Sequence, residues 1–320
     1  MDKAVSIPSP AVAARSRARS HRLMHLLMLL ATFCWAGNVV AIKEALDGFT
    51  PLALALLRIG GAAVIFAGLF WGWRNRPSIR LTRREWFIMA MVAVTGVTFN
   101  QLFFIAGLAR SSVAHAGLIV ALGPVMVLVI SCLLRLEALT ILKFAGMLIS
   151  FGGVAVLTTG KVGHGNGGYW VGDMILLAGS TVFAGYTILM KEIADKYHVL
   201  TLNMAAYALG TMVMIPFGAS ALGNVRWASI PPHAWAGMAY AILFGSVVPY
   251  LSFSIAINEL TASRVAAFSY IQPVIATGLG AWLLAERISL KIILGGTLIL
   301  LGVYLTERER GEEQEVGSRE

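Results

Sequence analysis

The second half of this chain weakly repeats the first, at residues that shape helices within a membrane. Positions 86–157 are matched 149 residues later at tryptophan, glycine, proline and glutamate residues. The matched pairs are Trp86 with Trp235, Gly96 with Gly245, Pro124-Val125 with Pro273-Val274, Glu137 with Glu286, Gly146 with Gly295, and Gly153-Val154 with Gly302-Val303. With one residue of slippage, Ala36-Gly37 and Lys43-Glu44 match Ala184-Gly185 and Lys191-Glu192. We therefore expect two copies of one structural unit.

The composition assigns that unit to a membrane. Apolar residues make up 58% of the chain and charged residues only 13%, with a mean hydropathy of +0.78. A soluble domain carries about 25% charged residues. Ten apolar segments, each near the roughly 20 residues that a membrane-spanning helix needs, lie at about 24–43, 51–73, 86–107, 112–134, 140–159, 170–190, 201–222, 234–256, 261–284 and 289–306. In lipid they must be helices, because backbone groups find no water there.

Five segments fall in each half, and an odd number of crossings places the second copy upside down relative to the first. The predicted fold class is therefore an all-α membrane protein with ten transmembrane helices in two inverted five-helix repeats. Many secondary transporters are built in this way. The predicted parts are a basic cytoplasmic tail (1–22), a first repeat (23–159), an external linker (160–169), a second repeat (170–306) and a cytoplasmic tail (307–320). Both tails are expected to be solvated and disordered.

Basic residues indicate the orientation. The first tail and the loop after the second helix are rich in them, at Lys3, Arg15, Arg17, Arg19, Arg22, Arg74, Arg76, Arg80, Arg83 and Arg84. The opposite side has fewer, at Lys43, Arg110, Lys161, Arg226, Arg287 and Lys291. The positive-inside rule places both termini in the cytoplasm, and we expect the bacterial inner (plasma) membrane. The net charge of +9 reflects this topology, so no nucleic-acid partner is expected.

Each half also carries a Pro-Val segment, an acidic residue at a helix end and a Gly-x6-Gly helix. The first half adds Trp35-Ala-Gly-Asn, Phe49-Thr-Pro51 and Leu57-Arg58. Over about residues 24–306 this pattern resembles the EamA family of the drug/metabolite transporter superfamily. The resemblance implies ten helices in two inverted repeats and the export of amino acids, other metabolites or drugs. One departure is that Ala138 follows Glu137, whereas Arg287 follows Glu286.

Polar residues inside the apolar segments are costly to bury and are candidates for substrate contact. Arg58 lies about seven residues inside the second helix, roughly 10 Å along its axis. It could bind a substrate carboxylate, extend to the outer interface or bond to a neighbouring helix end. His115, near the outer end of helix four, is matched by Arg264 at the inner end of helix nine. These two basic groups either attract an anion at opposite mouths of one pathway or are interfacial groups without substrate contact.

Helical spacing adds further candidates. Trp35, Asn38 and Ile42 share a face of helix one, Ser246, Tyr250 and Ser254 a face of helix eight, and Ser263, Tyr270 and Thr277 a face of helix nine. Gln272 faces away from Tyr270. Asn100 and Gln101 pose the same choice between helix contact, which is the commoner role of such groups, and ligand contact. The candidate substrate-binding set is Trp35, Asn38, Arg58, Asn100, Gln101, His115, Ser246, Tyr250, Arg264, Tyr270 and Gln272.

Two prolines and a set of glycines suggest mechanical roles. Pro124 and Pro273 each remove a helix hydrogen bond and should kink helices four and nine, as hinges for alternating access or as fixed bends. The glycines of helices five and ten predict close packing against other helices or against a second copy in a homodimer.

No residue pattern indicates catalysis. The segment around Lys161 lacks the glycine spacing of a phosphate loop, and the six histidines lack metal-ligand spacing. We therefore expect no enzyme, metal or cofactor. The acidic residues fall at helix ends or in loops, so no buried carboxylate is expected for proton coupling. His115 is the only side chain within a segment of a type that titrates near neutrality. The predicted function is secondary transport: export of small organic metabolites, with membrane lipid and a small-molecule substrate as partners. A channel or sensor and a membrane-embedded enzyme are the alternatives.

Overall fold

The computed structural model describes residues 10–73, 81–135, 139–158, 169–259 and 271–317, with side chains for 23–73, 81–135, 139–156, 169–256 and 272–305. The described residues form helices joined by short connections, with no β-strand among them. In chain order the helices are α1 (Pro10–Ala45), α2 (Pro51–Gly72), α3 (Arg83–Leu108), α4 (Val113–Leu133), α5 (Ile141–Thr158), α6 (Trp170–Ile193), α7 (Val199–Gly223), α8 (232–259), α9 (Ile271–Leu283) and α10 (Leu290–Gly317). The predicted all-α class is confirmed.

Within these ranges seven helices are long and apolar enough to cross a membrane, namely α1 to α4 and α6 to α8. The apolar stretches of α5 and α10 are shorter, at Ile141–Val156 and Leu290–Leu305. Large apolar side chains face outward, with Ile141 90% and Trp282 80% exposed. Such a surface is unfavourable in water and suits lipid. The chain is an integral membrane protein, and its ten crossings stay a prediction.

Local sequence explains where the helices begin. Thr50 accepts a hydrogen bond from the backbone N–H of Ala53, and Pro51 occupies the first position of α2. Thr82 and Glu85 form a reciprocal capping box at the start of α3. These side chains bind backbone N–H groups that have no partner within the helix. The starts of these two helices are thus fixed by their capping side chains.

The expectation of disordered tails is wrong for the described parts of both tails. The first helix begins at Pro10, ahead of the membrane segment, and α10 continues to Gly317. Alanine, arginine and glutamate dominate these extensions, and all three favour helix. Lengthening an existing helix also requires no new nucleation.

Wide π-type turns interrupt α3 at Ala93–Phe99 and α8 at Leu243–Val247. Their glycines, Gly96 and Gly245, are a matched pair of the sequence repeat. In α3 the hydroxyl oxygen of Thr98 lies 3.0 Å from the carbonyl oxygen of Gly210 on α7 and 3.2 Å from that of Ala93, so its single hydrogen can be donated to either carbonyl. Such turns expose backbone carbonyls that a regular helix would use, and they often lie at functional sites. The apolar periodicity did not predict them.

The first candidate hinge lies at a break in α4, which consists of Val113–Val120 and Gly123–Leu133. Pro124 lies in the first turn of the second piece, where its missing N–H removes no internal hydrogen bond. Pro273 is the third residue of α9. A hinge role for either proline stays a prediction.

The two halves pack against each other reciprocally. Equivalent helices meet in the pairs α2 with α7 and α5 with α10, while α1 contacts α8 and α9 just as α6 contacts α3 and α4. Exchanging the halves leaves this pattern unchanged. Between α5 and α10 a Cβ on Gly153 would lie 2.7 Å from the carbonyl oxygen of Gly295. The glycine faces of these two helices therefore meet within one chain.

Candidate substrate-binding site

Arg58 projects from α2 towards α8 in the interior of the helices. The residue is 3% exposed. Its Nε donates to Ser246 Oγ at 3.0 Å, and its Nη2 donates to the carbonyl oxygen of Gly245 at 2.9 Å. Among the described residues no carboxylate forms a salt bridge with it. A buried cation held only by neutral groups is expensive in a membrane and is a functional candidate for that reason.

The wide turn of α8 makes this contact. Gly245 lies in the turn. A Cβ on this residue would overlap Asn38 Oδ1 and would lie 3.1 Å from Arg58 Nη2. Only glycine leaves space for both side chains at this carbonyl. The glycine of the sequence repeat thus brings α1, α2 and α8 together.

The wide turn of α3 is used in the same way from the other half. Tyr250 on α8 donates its hydroxyl to the carbonyl oxygen of Gly96 at 3.3 Å, and Asn100 Nδ2 donates to the same oxygen at 3.3 Å. The ring of Tyr186 on α6 occupies the space that a Cβ on Gly96 would fill. Each half therefore presents a glycine carbonyl that accepts a side-chain donor from the opposite half.

Aromatic rings surround Tyr250. The ring centroids of Trp35, Tyr186 and Tyr207 lie 6.0, 6.2 and 5.5 Å from its centroid. The Trp35 and Tyr207 rings meet it edge to face, an arrangement favoured by the charge distribution of aromatic rings. Three helices of the second half thus contribute tyrosines to one cluster, and Trp35 adds a ring from the first half.

Two amide oxygens in this region accept no hydrogen bond from the described residues. They are Asn38 Oδ1 and Gln101 Oε1, and both residues are at most 3% exposed. The nitrogen of the Gln101 amide is engaged, since Nε2 donates to the hydroxyl of Tyr207 at 3.1 Å. A buried polar atom without a partner costs about 1–3 kcal/mol. Both oxygens are suited to a ligand that carries N–H donors.

The sequence prediction missed Tyr186 and Tyr207, although the repeat contained a signal for both. The 149-residue spacing relates Arg58 to Tyr207 and Gln101 to Tyr250. Ala36-Gly37 and its match Ala184-Gly185 are 148 residues apart, and the same spacing relates Asn38 to Tyr186. Residues at matched positions converge on one place, as a pseudo-two-fold axis between the halves would require. The equivalents of each candidate could therefore have been added to the site.

The other candidates lie elsewhere. Gln272 is 8% exposed and belongs to α9, which packs against α1 and α4. His115 is the third residue of α4, at the same end of the helices as Lys43 and Ser111. Arg264 and Tyr270 fall outside the described residues. The proposed pairing of His115 with Arg264 therefore stays a prediction.

A second polar group lies at the predicted outer end. His115 Nδ1 and Asp173 Oδ2 are 2.8 Å apart, and their side chains are 7% and 0% exposed. Ser111 donates its hydroxyl to the other carboxylate oxygen of Asp173. The expectation that no carboxylate is buried is therefore wrong. Asp173 does lie at a helix end, but the neighbouring Gly172 allows α6 to approach the end of α3. A Cβ on Gly172 would lie 2.5 Å from the carbonyl oxygen of Arg110.

Two charged residues from other elements complete this group. Lys43 Nζ donates to the carbonyl oxygens of Leu108 and Ser111 at the end of α3. The carboxylate of Glu286 accepts from the backbone N–H groups of Val113 and Ala114, at 2.9 and 3.2 Å. Negative charge is favourable at this helix N-terminus. We call His115, Asp173, Ser111, Lys43 and Glu286 the outer cluster.

Tyr169 lies next to the outer cluster, just before α6. Its ring centroid is 5.1 Å from that of His115, in an edge-to-face arrangement. Burial raises the pKa of its phenol, and the negative charges of Glu286 and Asp173 raise it further. The phenol is therefore uncharged at neutral pH.

Contacts at the opposite end are more exposed. Tyr197 donates its hydroxyl to Glu85 Oε2 at 2.7 Å, and this hydrogen bond raises the pKa of Tyr197. Arg84 pairs with Glu192, and their side chains are 80% and 41% exposed. Exposed ion pairs contribute little to stability. The buried His115–Asp173 contact at the predicted outer end is shielded from water, whereas the Arg84–Glu192 pair is not.

A cavity of about 600 Å³ opens beside the outer cluster. Its walls include Lys43, Asp47 and Phe49 from the connection between α1 and α2, and Asn224 and Arg226 from the connection after α7. The volume is within the range of small-molecule sites. None of the residues around Arg58 lines it, so the cavity is separate from the polar centre.

The fold and its polar centre are those of a helical membrane protein built from two related halves, with a buried cation between them. The EamA-like transporter family model matches the chain twice, at residues 22–159 and 170–308, and the chain belongs to this family. Its general role is therefore transport across a membrane, which is not an enzymatic activity. The chain is similar to a protein of known crystal structure, with 22% identity and a TM-score of 0.58 over 88% of this chain and 97% of the other, which indicates a shared fold.

Named relatives agree with this family. An uncharacterized transporter of Archaeoglobus fulgidus is 28% identical, over 88% of this chain and 96% of the relative. A probable terminal-alkyne amino-acid exporter of Streptantibioticus cattleyicolor is 26% identical, over 88% of this chain and 92% of the relative.

Proposed function

We propose that the protein exports amino acids or related small organic metabolites across the bacterial plasma membrane, and that the substrate binds beside Arg58. The observation that carries the proposal is the buried guanidinium, which binds Ser246 and Gly245 and has no carboxylate partner among the described residues. A substrate carboxylate would supply the missing charge.

The surroundings favour a zwitterion with an apolar part. The unpaired oxygens of Asn38 and Gln101 suit an ammonium group. The rings of Tyr186, Tyr207 and Tyr250 suit an apolar side chain. A relative named an amino-acid exporter supports the same choice of substrate class.

Alternating access is the proposed mechanism. Five crossings in each half, with both termini in the cytoplasm, would make the halves inverted copies, and the reciprocal packing of α1 to α10 is what such copies require. The break before Pro124 and the wide turns at Gly96 and Gly245 are places where helices can bend. Rocking of one half against the other would then expose the Arg58 region to each side in turn.

The test uses purified protein in vesicles that are loaded with radiolabelled leucine or phenylalanine, or with the corresponding amino-acid amides. We expect efflux of the acids to exceed that of the amides, because only the acids carry the carboxylate. Arg58→Gln should remove most of the acid efflux and reduce the preference for acid over amide. Arg84→Gln is the matched control, since that side chain is 80% exposed and lies at the opposite end.

Two results would overturn the proposal. One is acid efflux through Arg58→Gln at the rate of the Arg84→Gln control. The other is an absence of flux for every compound of a wider panel that includes amines, dipeptides and antimicrobials. Flux of an antimicrobial with no flux of amino acids would keep export but reject the substrate class.

A further inference from the structure

Three side chains of metal-binding type meet at the predicted outer end, away from the Arg58 region. Glu44 lies in the last turn of α1, Asp47 lies in the turn that follows, and His233 is the second residue of α8. One oxygen or nitrogen atom of each side chain lies within 4.8 Å of the other two. The spacing of the histidines in the sequence did not indicate this set, because α1 and α8 are far apart in the chain.

Packing of α1 against α8 holds the three residues near one another. A Cβ on Gly237 of α8 would overlap the carbonyl oxygen of Ala41, so only glycine allows the two helices to approach this closely. The ring of Phe49, just after α1, meets that of Trp235 edge to face, with centroids 5.2 Å apart. An incoming ion would therefore meet side chains on a backbone that is already in place, which lowers the entropic cost of binding.

The two carboxylates of this set have no cationic side chain as a partner. Among the described residues, no lysine or arginine forms a salt bridge with Glu44 or Asp47. Lys43 is adjacent in sequence, but its ammonium group donates to two carbonyl oxygens at the end of α3. Arg226 lies in the wall of the cavity that Asp47 also lines, without pairing to either carboxylate. The negative charge of both groups is thus available to a bound cation.

The imidazole decides which kind of cation fits. Two carboxylates alone would suit Ca²⁺ or Mg²⁺, which take oxygen ligands, whereas an imidazole ligand favours first-row transition metals. Ligands about 2.0–2.1 Å from a tetrahedral zinc ion are roughly 3.3 Å apart. His233 Nε2 and Asp47 Oδ2 lie 3.1 Å apart, close to that separation. Their side chains are 48% and 67% exposed, so small rotations can bring them and Glu44 onto one ion.

We propose that Glu44, Asp47 and His233 form a binding site for a divalent transition-metal ion, with Zn²⁺ as the best match. Three protein ligands leave the fourth position of a tetrahedral ion to water. The cavity of about 600 Å³ beside Asp47 gives the ion and this water access. The imidazole binds through Nε2 and carries its proton on Nδ1. The bound ion joins the α1–α2 connection of the first half to α8 of the second and holds that wall of the cavity in place.

The inference does not depend on the proposed substrate and is tested by direct binding. The full chain, purified without a histidine tag and freed of metal with EDTA, is titrated with Zn²⁺ near neutral pH by isothermal titration calorimetry. His233→Gln and Asp47→Asn should each weaken zinc binding at least tenfold, since even the loss of a group that only orients a ligand costs about 10–100-fold. His198→Gln and Glu192→Gln are the matched controls, because they change an exposed imidazole and an exposed carboxylate at the opposite end. Both controls should bind zinc as the unaltered chain does.

A second measurement follows from the linkage of binding to folding. Zinc should raise the thermal transition temperature of the unaltered chain and of the controls, but not that of His233→Gln. Size-exclusion profiles check that each variant folds, and Asp47→Asn provides the same comparison if His233→Gln does not.

Three results would overturn the inference. They are equal zinc affinity for the unaltered chain and the folded ligand variants, no zinc binding tighter than about 1 mM, and a preference for Ca²⁺ over Zn²⁺ that His233→Gln leaves unchanged. Failure of leucine and phenylalanine efflux together with intact zinc binding would reject the proposed substrate and leave the metal site standing.

Discussion

Replacing Gly245 by alanine should disrupt the polar centre, and the structure indicates how strongly. The added Cβ would overlap Asn38 Oδ1 and lie 3.1 Å from Arg58 Nη2. The Asn38 side chain must therefore move and the Arg58 guanidinium must yield slightly, although both residues are at most 3% exposed.

The expected destabilisation is the difference between a steric penalty and a small gain. Alanine is favoured over glycine within a helix by about 1 kcal/mol. Overpacking of a well-filled interior costs about 1–3 kcal/mol. Displacement of Arg58 from the Gly245 carbonyl adds about 1.5–3 kcal/mol, because the donor is charged. We expect a net destabilisation of about 3 kcal/mol and loss of transport.

Gly68→Ala is the matched control, since nothing lies within 4 Å of a Cβ at that position of α2. Thermal unfolding of the purified variants, followed by tryptophan fluorescence, should show a lower transition temperature for Gly245→Ala and an unchanged or higher one for Gly68→Ala. Adding Asn38→Ala to Gly245→Ala removes the overlapping oxygen and should recover part of the loss, which a double-mutant cycle measures. Equal transition temperatures for Gly245→Ala and Gly68→Ala would refute the close approach of α1, α2 and α8.

Three further outcomes are expected. Gly96→Ala should lower the transition temperature and impair efflux, because its Cβ would overlap the ring of Tyr186. Unchanged efflux would contradict the close packing of Tyr186 against Gly96. Gly302→Ala should destabilise the contact between α5 and α10 by about 1–3 kcal/mol, whereas Gly152→Ala, with open space around its Cβ, should not; chemical denaturation compares the two. Arg84→Ala should change stability by less than about 0.5 kcal/mol, since its ion pair is exposed, and a larger loss would show that this contact is stronger than its exposure implies.

The sequence predicted the parts of the fold that depend on composition and spacing. Apolar segments of about 20 residues correspond to the long helices, because lipid allows few alternatives. The repeat also marked Gly96 and Gly245, although their role as carbonyl sites on wide turns could not be foreseen. A π-type turn adds one residue to a turn of a helix, and in a segment that is apolar on most sides the resulting shift of helical phase leaves little trace in the sequence.

Burial was the property that sequence reasoning predicted least well. Asp173 begins a helix, where a carboxylate is usually hydrated, yet it is fully buried. The cause is the glycine before it, which brings α6 against the end of α3. Contacts of this kind join residues far apart in the chain, such as His115 and Asp173, and neither helical spacing nor the repeat relates them. Ser246 and Tyr250, two of the sequence candidates, do lie on buried faces, and their role in substrate binding stays a prediction.

The matched positions also explain why the proposed site can bind a substrate in one orientation. Both halves have a glycine within a wide turn, Gly96 in α3 and Gly245 in α8, so the backbone has the same feature in each half. The side chains around it have diverged. The first half supplies the polar groups Asn38, Arg58 and Gln101, and their counterparts in the second half are Tyr186, Tyr207 and Tyr250. A pair of identical walls would accept a zwitterion equally well in two opposite orientations. In the proposed mode of binding, Asn38, Arg58 and Gln101 would hold the charged end of a zwitterion against α2, and the three tyrosines would hold the apolar end against α6 to α8, because a buried charge is favourable only beside its partners.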